Sequence, residues 1–462
     1  MAKPLNVLLL AFEFPPLGGV GVQRSLKLAK YLPDAGVNPI VVTPDVASLE
    51  AWFGKAKEQD LLKELPSDVK IERVPCPRPR PPSANRLVRW VGQMTSSGEE
   101  IGRQWEPELT ARWDALVREH DAKAVYVSVP PFSMAPLVVR LARRSELPLV
   151  LDFRDNWSQW CCSPKPSWFH YAHVVAEERV CVEQAAAVIG VTGQLIRDLQ
   201  AIHPHVPATK FHVIPNGYDA ELTEPKQRAP GGAARPFVIG YVGSFYYTPK
   251  NRGAVMNPWW QRSPHRWLQY APRKEDWLYR SPYFFLRTMA VLLARRPELR
   301  SLVKVRFAGE RPEWLDAQII EFGLADVVEH LGWLSHRDCL AFQSCCDALL
   351  STSAKIIGGR DYCIAGKTFE YITIGAPIVA FVTDGEQRDF LRHSGGAVLC
   401  DPDSISDAAA RLESLIDGTS APPLNASFLQ TFHRRHIASS VAAVLAVATA
   451  HTSVEPAVLS KG

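Results

Sequence analysis

Residues Asp361 to Phe381 read DYCIAGKTFEYITIGAPIVAF, and this stretch decides how the chain is organised. Gly366 permits a tight turn and Lys367-Thr368-Phe369-Glu370-Tyr371 predict a compact helical run. Gly375 stops that run, and Pro377 to Phe381 read as a buried strand. A helix start carries unpaired N–H groups and partial positive charge, which suit a phosphate. Glu370 follows about one turn later, placed to accept hydrogen bonds from sugar hydroxyls. An ordinary loop-helix-strand packing unit with a solvated lysine fits the same residues, because glycine-rich helix starts are common.

The same alternation extends upstream. Strands are predicted at Phe237–Val242, Val303–Gly309, Val327–Leu331 and Asp347–Ser351, with helices at Tyr283–Ala294, Trp314–Phe322 and Ser335–Ser344. Residues 223–236, rich in Pro, Gly, Ala and charge, read as a linker. Before the linker the alternation is repeated. Asn6–Phe12 is a strand, PPLGGVG breaks it, Val22–Leu32 is a helix and Pro39–Thr43 a second strand. Strands at Ala124–Val129, Leu149–Asp152, Ala187–Thr192 and Lys210–Ile214 then alternate with helices at Ala135–Arg144, Tyr171–Ala187 and Gln194–Ala201. The expected fold is α/β, with two Rossmann-like doubly wound domains, 1–222 and 237–425, facing across a cleft. Ser427 to Ala450 predicts a helix in a segment, 426–450, that packs back; 451–462 reads as a disordered tail. The glycine turn after the first strand lacks the dinucleotide spacing, which disfavours hydride transfer.

Three stretches stand out from the alternation. Asp152-Phe153-Arg154-Asp155-Asn156-Trp157 bunches polar residues after the carboxyl end of a strand, where such sheets bind ligands; a capping cluster with an internal Arg–Asp pair is the plainer alternative. Residues 46–120 are irregular, with Arg78, Arg80, Arg86, Arg89 and Trp90 forming either a solvated loop and helix or a basic surface for anionic head groups. Residues 246–283 form an insertion. It carries Trp259, Trp260, Trp267 and Trp277 among Lys250, Arg252, Arg262, Arg266, Arg273, Lys274 and Arg280, against two acids, Glu275 and Asp276. Its tryptophans are candidates for an acceptor-sugar or membrane surface, or for a self-packed lid.

Composition narrows the classes further. The 462 residues are 47% hydrophobic and 22% charged, as in a soluble globular protein of two or three domains. A net charge of +4 gives no reason to expect a nucleic-acid partner. The nine cysteines form no CxxC pair and no His/Cys metal spacing, and the adjacent pairs Cys161-Cys162 and Cys345-Cys346 are poorly placed to bridge; a reduced, cytoplasmic protein is expected. The apolar run Leu5 to Phe12 is too short to span a bilayer and has no cleavage pattern, so any membrane contact is expected to be peripheral.

Taken in order, FEFPPLGGVGVQRSLKLAKYL, PLVLDFRDNWS, HVIPNGYD, VIGYVGSFY, YRSPYFFLRTMAVLL, VRFAGE, VVEHLGWLSHRD and GKTFEYITIGAPIVAF resemble the motifs of the retaining nucleotide-sugar glycosyltransferases of family GT4, or glycosyltransferase group 1, with the GT-B fold. PLVLDFRDNWS in particular is similar to bacterial polysaccharide-type members. The resemblance spans nearly the whole chain.

It implies roles by position. Gly18 and Gly19 match the loop whose backbone approaches the donor diphosphate, and Arg154 and Asp155 fall where many members carry a His-Asp pair beside the transferred sugar. Arg280 resembles the cation that neutralises the diphosphate. Gly332, Trp333 and Leu334 match the segment that receives the base, and Ala365, Gly366, Lys367 and Thr368 would hold phosphates. Glu370 matches the ribose-binding second glutamate of a paired motif. The first glutamate, eight positions earlier, is replaced by Tyr362, with Asp361 adjacent, and the usual close Arg/Lys pair is split between Lys250 and Arg280. The implied donor is a UDP- or GDP-sugar and the implied acceptor a carbohydrate or lipid-linked hydroxyl. Arg280, Lys367 and the Gly366 helix start would make a metal unnecessary. A sugar-nucleotide epimerase, a catalytically silent nucleotide-sugar- or carbohydrate-binding homologue and, least favoured, a nucleic-acid-binding role for the insertion are the alternatives.

Overall fold

The computed structural model describes residues 3–54, 59–78, 85, 101–160, 164–223, 235–262 and 264–452. In the first half the Val- and Leu-rich runs become seven strands: β1 (Leu5–Ala11), β2 (Val37–Pro44), β3 (Lys70–Val74), β4 (Ala124–Val129), β5 (Leu149–Phe153), β6 (Ala187–Gly190) and β7 (Phe211–Val213). They pair in parallel in the order β3-β2-β1-β4-β5-β6-β7, with Leu8 opposite both Ile40 and Val125. Helices cover both faces, so these strands read as unbroken apolar runs rather than alternating ones, and Val7 to Leu10 are fully buried.

The second half repeats the plan. Strands β8 (Phe237–Val242), β10 (Val303–Ala308), β11 (Val328–Gly332), β12 (Ala348–Thr352), β14 (Ile378–Phe381) and β15 (Ala397–Cys400) form a sheet ordered β11-β10-β8-β12-β14-β15. The short strands β9 (Glu275–Asp276) and β13 (Lys355–Ile356) pair antiparallel beside it. Each large sheet reverses its winding next to its first strand, and that reversal opens a crevice at the carboxyl ends. The Gly18-Gly19 loop leaves β1 at one reversal, and the insertion leaves β8 at the other.

Three expectations need adjustment. The described parts of residues 46–120 are more regular than the sequence suggests: they supply a helix at Val46–Phe53, strand β3 and a helix at Ile101–Glu119. The last buries Trp105, Leu109, Trp113 and Leu116 on one face, a helical period obscured by Pro107. The predicted single helix Ser427–Ala450 is broken into Ala426–Gln430 and Arg434–Thr452. The break has a partner: Tyr218 N–H donates to Phe432 O at 3.2 Å, and Arg434 N–H donates to Tyr218 O at 3.0 Å. From there the final helix crosses to the first domain, where Ile437, Ala438, Val441 and Leu445 join its core. The tryptophans Trp259, Trp260 and Trp267 are exposed rather than packed into a satellite core. Arg80, Arg86, Arg89, Trp90, Cys161, Cys162, linker residues 224–234 and tail residues 453–462 lie outside the described residues. No described helix is long and apolar enough to cross a membrane.

Candidate active site

Two helix starts meet across the cleft. The helix Val20–Tyr31 begins after Gly19, at φ 100°, and the helix Gly366–Ile374 begins after Ala365; neither has a side-chain cap. Gly19 needs its positive φ to turn the chain into the helix, and nothing lies within 4 Å of where its Cβ would stand. A Cβ on Gly366 would sit 3.0 Å from Val20 Cγ1, so the two N-termini, one per domain, are neighbours. Among the described residues no hydrogen bond occupies the N–H groups of Gly18, Gly19, Val20, Gly366 or Lys367. Two helix dipoles therefore aim positive ends into one space.

The predicted phosphate-holding group divides. Ala365 N–H donates to Gln387 Oε1 at 2.9 Å, and Thr368 N–H donates to Ala365 O at 2.9 Å. The Thr368 side chain is fully buried and its hydroxyl has no partner among the described residues. Gly366 and Lys367 are left facing the space. Lys367 is not a solvated lysine: Nζ donates to Val242 O at 3.0 Å and lies 3.8 Å from the centre of the Tyr241 ring. Burial, with Arg280 close by, lowers its pKa to about 7 against the opposing pull of Glu370.

Arg280 reaches the same space from the end of the insertion. Asp276 caps its short turn by accepting from Leu278 N–H, and Thr352 Oγ1 donates to Arg280 O at 2.9 Å. Its guanidinium lies over the rings of Trp277 and Tyr246, at 5.0 and 5.8 Å, and donates to Cys363 Sγ at 3.6 Å. Burial alone would lower Arg280, but Cys363, Asp361 and Glu275 raise it above its ordinary value, so it is always charged.

Carboxylates ring this cation. Burial raises Asp361 to about 7, with Arg280 opposing, and Asp155 to about 6, with Arg154 and Arg280 opposing; burial also raises Glu275. Asp361 Oδ1 accepts from Cys363 N–H at 3.1 Å. Arg154 supports the other wall. Its Nη1 donates to Gly21 O at 2.6 Å and lies 3.5 Å from Glu13 Oε2, and its Nη2 donates to Pro130 O. Arg154 therefore ion-pairs with Glu13, while Asp155 feels its charge from beyond ion-pair distance. A Cβ on Gly21 would stand 1.5 Å from Glu13 Oε2, so a side chain there would displace the Glu13 carboxylate and disturb its contact with Arg154.

Several residues of the DFRDNW stretch turn away from the cleft. Asp152 is fully buried and accepts from Arg24 Nε and Nη2 at 2.7 and 2.8 Å. Arg24 also donates to Ile214 O and Pro215 O, which ties the Ile214–Asp219 segment to the first helix. Asn156 donates to Asp198 at 3.0 Å. Only Arg154 and Asp155 remain beside the cleft.

Tyr362, at the position of the missing glutamate, is buried. It packs in the first domain's core, its carbonyl accepts from Thr192 Oγ1 at 2.6 Å, and Arg273 lies 5.1 Å above its ring. Asp361 is the acid that stays among the charged groups. Glu370 is exposed, with no ion pair among the described residues, and Trp333 is 74% exposed beside Gly332, whose φ of 72° turns the chain there. Leu334 follows, half-buried. Trp277 separates from the other insertion tryptophans: it lies under Arg280, while Trp259, Trp260 and Trp267 contact one another outside this cluster.

Glu13 and Glu275 escape sequence reasoning. Glu13 follows an ordinary strand, and Glu275 enters the cleft only because β9 pairs with β13, placing it opposite Ile356. The one signal was that the insertion's two acids fall together where it rejoins the domain.

The geometry matches known proteins in fold and family. The family described as "Glycosyl transferase 4-like domain" matches residues 18–217, and that described as "Glycosyl transferases group 1" matches residues 279–418. No curated protein sequence matches the chain. Among solved structures, the apo form of the lipopolysaccharide outer core galactosyltransferase WaaB superposes with a TM-score of 0.55 at 13% identity, covering 96% of this chain and 99% of its own. HepE of Anabaena, in complex with UDP, gives 0.52 at 14% identity, covering 97% and 98%. The N-terminal domain of Candida albicans trehalose-6-phosphate phosphatase gives 0.55 at 10% identity, covering 97% of each. Likeness at such identity shows the fold alone; the two family matches, which together take in well over half the chain, show the family. With its two Rossmann-like domains in the GT-B arrangement, the chain belongs to the glycosyltransferase group 1 family, GT4.

Proposed function

We propose that the protein transfers a sugar, with retention of anomeric configuration, from a UDP- or GDP-sugar to a hydroxyl of a carbohydrate or lipid-linked acceptor, in polysaccharide or glycoconjugate assembly at the cytoplasmic face of a membrane. The observation that carries this reading is the meeting of two uncapped helix starts, one of them carrying Lys367, with Arg280 near enough to act on that lysine's charge. Breaking the anomeric bond leaves charge on the diphosphate oxygens, and donors already aimed there stabilise the transition state without reorganising. In this reading the Gly19–Val20 and Gly366–Lys367 N–H groups hold the diphosphate and Arg280 neutralises the leaving oxygen. Glu370 accepts the ribose hydroxyls, and the Gly332–Leu334 backbone receives the base. The acceptor oxygen attacks from the leaving-group face, its bond to the anomeric carbon forms as the carbon–phosphate-oxygen bond breaks, and the diphosphate takes its proton.

A thermal-shift screen with UDP, GDP, ADP and dTDP, followed by turnover of the matching sugars, tests the assignment. Stabilisation by none of them would refute it. Glu370→Ala is expected to raise the donor KM about 10- to 100-fold, the worth of hydrogen bonds to a charged group, with little change in kcat. A variant with unaltered KM removes Glu370 from the ribose site.

The buried ionisable groups predict the pH dependence of binding. A bound diphosphate favours charged Lys367 and protonated Asp361, whose free pKa values both lie near 7. Both effects draw protons in, so affinity falls as pH rises above about 7 and binding takes up protons. Calorimetry in two buffers of different ionisation enthalpy reads this directly; net release at pH 7.5 (roughly half a unit above these values) contradicts it.

Asp155 and Asp361 support a second reading, a sugar-nucleotide epimerase using them as acid and base. Incubating the donor without acceptor and identifying the recovered sugar decides between the two, since only an epimerase returns an inverted centre.

A further inference from the structure

The insertion leaves large rings on the surface. Trp259, Trp260, Trp267 and Leu268 are 57%, 65%, 49% and 65% exposed. The Trp259 ring meets those of Trp260 and Trp267 edge to face, each at 6.0 Å. The loop that carries them is tied by its own bonds. Arg262 donates from Nε and Nη2 to Asn257 O at 3.1 and 2.9 Å, and Trp267 Nε1 donates to Arg262 O at 3.0 Å.

Two residues beyond Leu268 the loop joins the first domain. Lys165 N–H donates to Tyr270 O at 2.7 Å, Tyr270 N–H returns to Lys165 O at 3.0 Å, and the Tyr270 ring lies 4.9 Å from that of Tyr171. Trp168 and Phe169, 54% and 78% exposed, open the helix that follows Lys165. A chain advances about 3.5 Å per residue at most, so Trp267, Leu268, Trp168 and Phe169 all lie within roughly 15 Å of one bridge. The bridge thus brings exposed rings of both domains into one neighbourhood.

The insertion's own charges have one sign. Residues 246–274 contain Lys250, Arg252, Arg262, Arg266, Arg273 and Lys274 and no Asp or Glu. Arg252 and Arg273 are paired, with Asp276 and Asp198, while Lys250 and Lys274 are exposed. A sugar platform presents one ring face; here the rings pack by their edges into a cluster, a size and character that soluble surfaces seldom leave uncovered. Tryptophan beside lysine and arginine suits the head-group layer of an anionic bilayer, where rings insert shallowly and cations meet phosphate.

We propose that Trp168, Phe169, Trp259, Trp260, Trp267 and Leu268 form a surface that docks the protein on anionic lipid bilayers, with the Lys165–Tyr270 bridge holding its two halves in register. It extends the transferase reading by naming the face from which a lipid-linked acceptor would be reached, but its test needs no donor. The full chain is sedimented with vesicles of phosphatidylcholine alone and of equal parts phosphatidylcholine and phosphatidylglycerol, at low and high salt. Binding is expected only to the anionic vesicles, weakened by salt, and reduced about tenfold or more in W259S/W260S and, on the other domain, in F169S. Each variant is checked for a wild-type circular dichroism spectrum, and either one alone suffices to read the result. Failure to bind anionic vesicles, salt-insensitive binding to both kinds, or wild-type binding by the folded variants overturns the proposal. So does a wild-type oligomer that the variants convert to monomer, which would assign the rings to a contact between copies. Absence of any nucleotide-induced thermal shift sinks the transferase reading and leaves the vesicle result standing.

Discussion

Replacing Arg280 with alanine is expected to lower kcat for sugar transfer by about 10²–10³-fold, the cost of removing one preorganised donor from a developing anion. The loss should fall mainly on kcat, because the charge that Arg280 meets grows as the bond breaks. The fold should survive. Arg280 opposes the raised pKa values of Asp361 and Asp155 and also pulls Glu275 down, so without it these acids take up protons instead of remaining as bare buried charges. Arg280→Lys should recover part of the rate at most, since a lysine offers a point charge and cannot reproduce the planar group lying over Trp277 and Tyr246. Steady-state kinetics with a circular dichroism melt on each variant gives the answer. Wild-type kcat in Arg280→Ala would remove this residue from the mechanism.

Asp152→Ala should be the most destabilising single change outside the cleft. It would leave Arg24 buried without its carboxylate, and breaking a buried ion pair from one side costs about 3–5 kcal/mol. For a domain of this size that corresponds to a melting point lower by roughly 10 °C. Asp152→Asn keeps the shape and removes only the charge, so it serves if the alanine variant does not accumulate. Nucleotide affinity measured well below the melt should stay at the wild-type value, because neither Arg24 nor Asp152 touches the cleft cluster. A shift of under about 2 °C in both variants would mean that the surrounding carbonyls of Ile214 and Pro215 satisfy Arg24 by themselves.

Asp152 also shows where sequence reading stops. Its place at the end of a parallel strand marks a region where ligands bind, and the next residues but one, Arg154 and Asp155, do lie beside the cleft. Alternation along the strand cannot tell which polar side chain turns inward to a helix, and Arg24 lies 128 positions away. The Asp361–Phe381 stretch behaved differently. Its helix runs from Gly366 to Ile374, Gly375 closes it in the left-handed conformation at φ 73°, and the strand follows at Ile378. Every one of those features is local: a turn, a period and a stop. The irregular reading of residues 46–120 missed the helix Ile101–Glu119 for a local reason too, since Pro107 sits inside it and its buried face carries Trp105, Leu109, Trp113 and Leu116.

The sequence by itself determined the two doubly wound domains, the glycine loop after β1, the uncapped helix at Gly366 and the insertion after β8. Strand hydrophobicity, helix periodicity and glycine stops are written in neighbouring residues, and a parallel sheet follows from them with few choices left. Only the tertiary structure decided that Val20 and Gly366 meet, that Lys367 is buried enough to hold its proton weakly, that Tyr362 belongs to the opposite domain's core and that Asp361 and Glu275 share Arg280. Those facts depend on contacts between residues far apart in sequence, where burial and opposing charge set the chemistry and no local pattern records them.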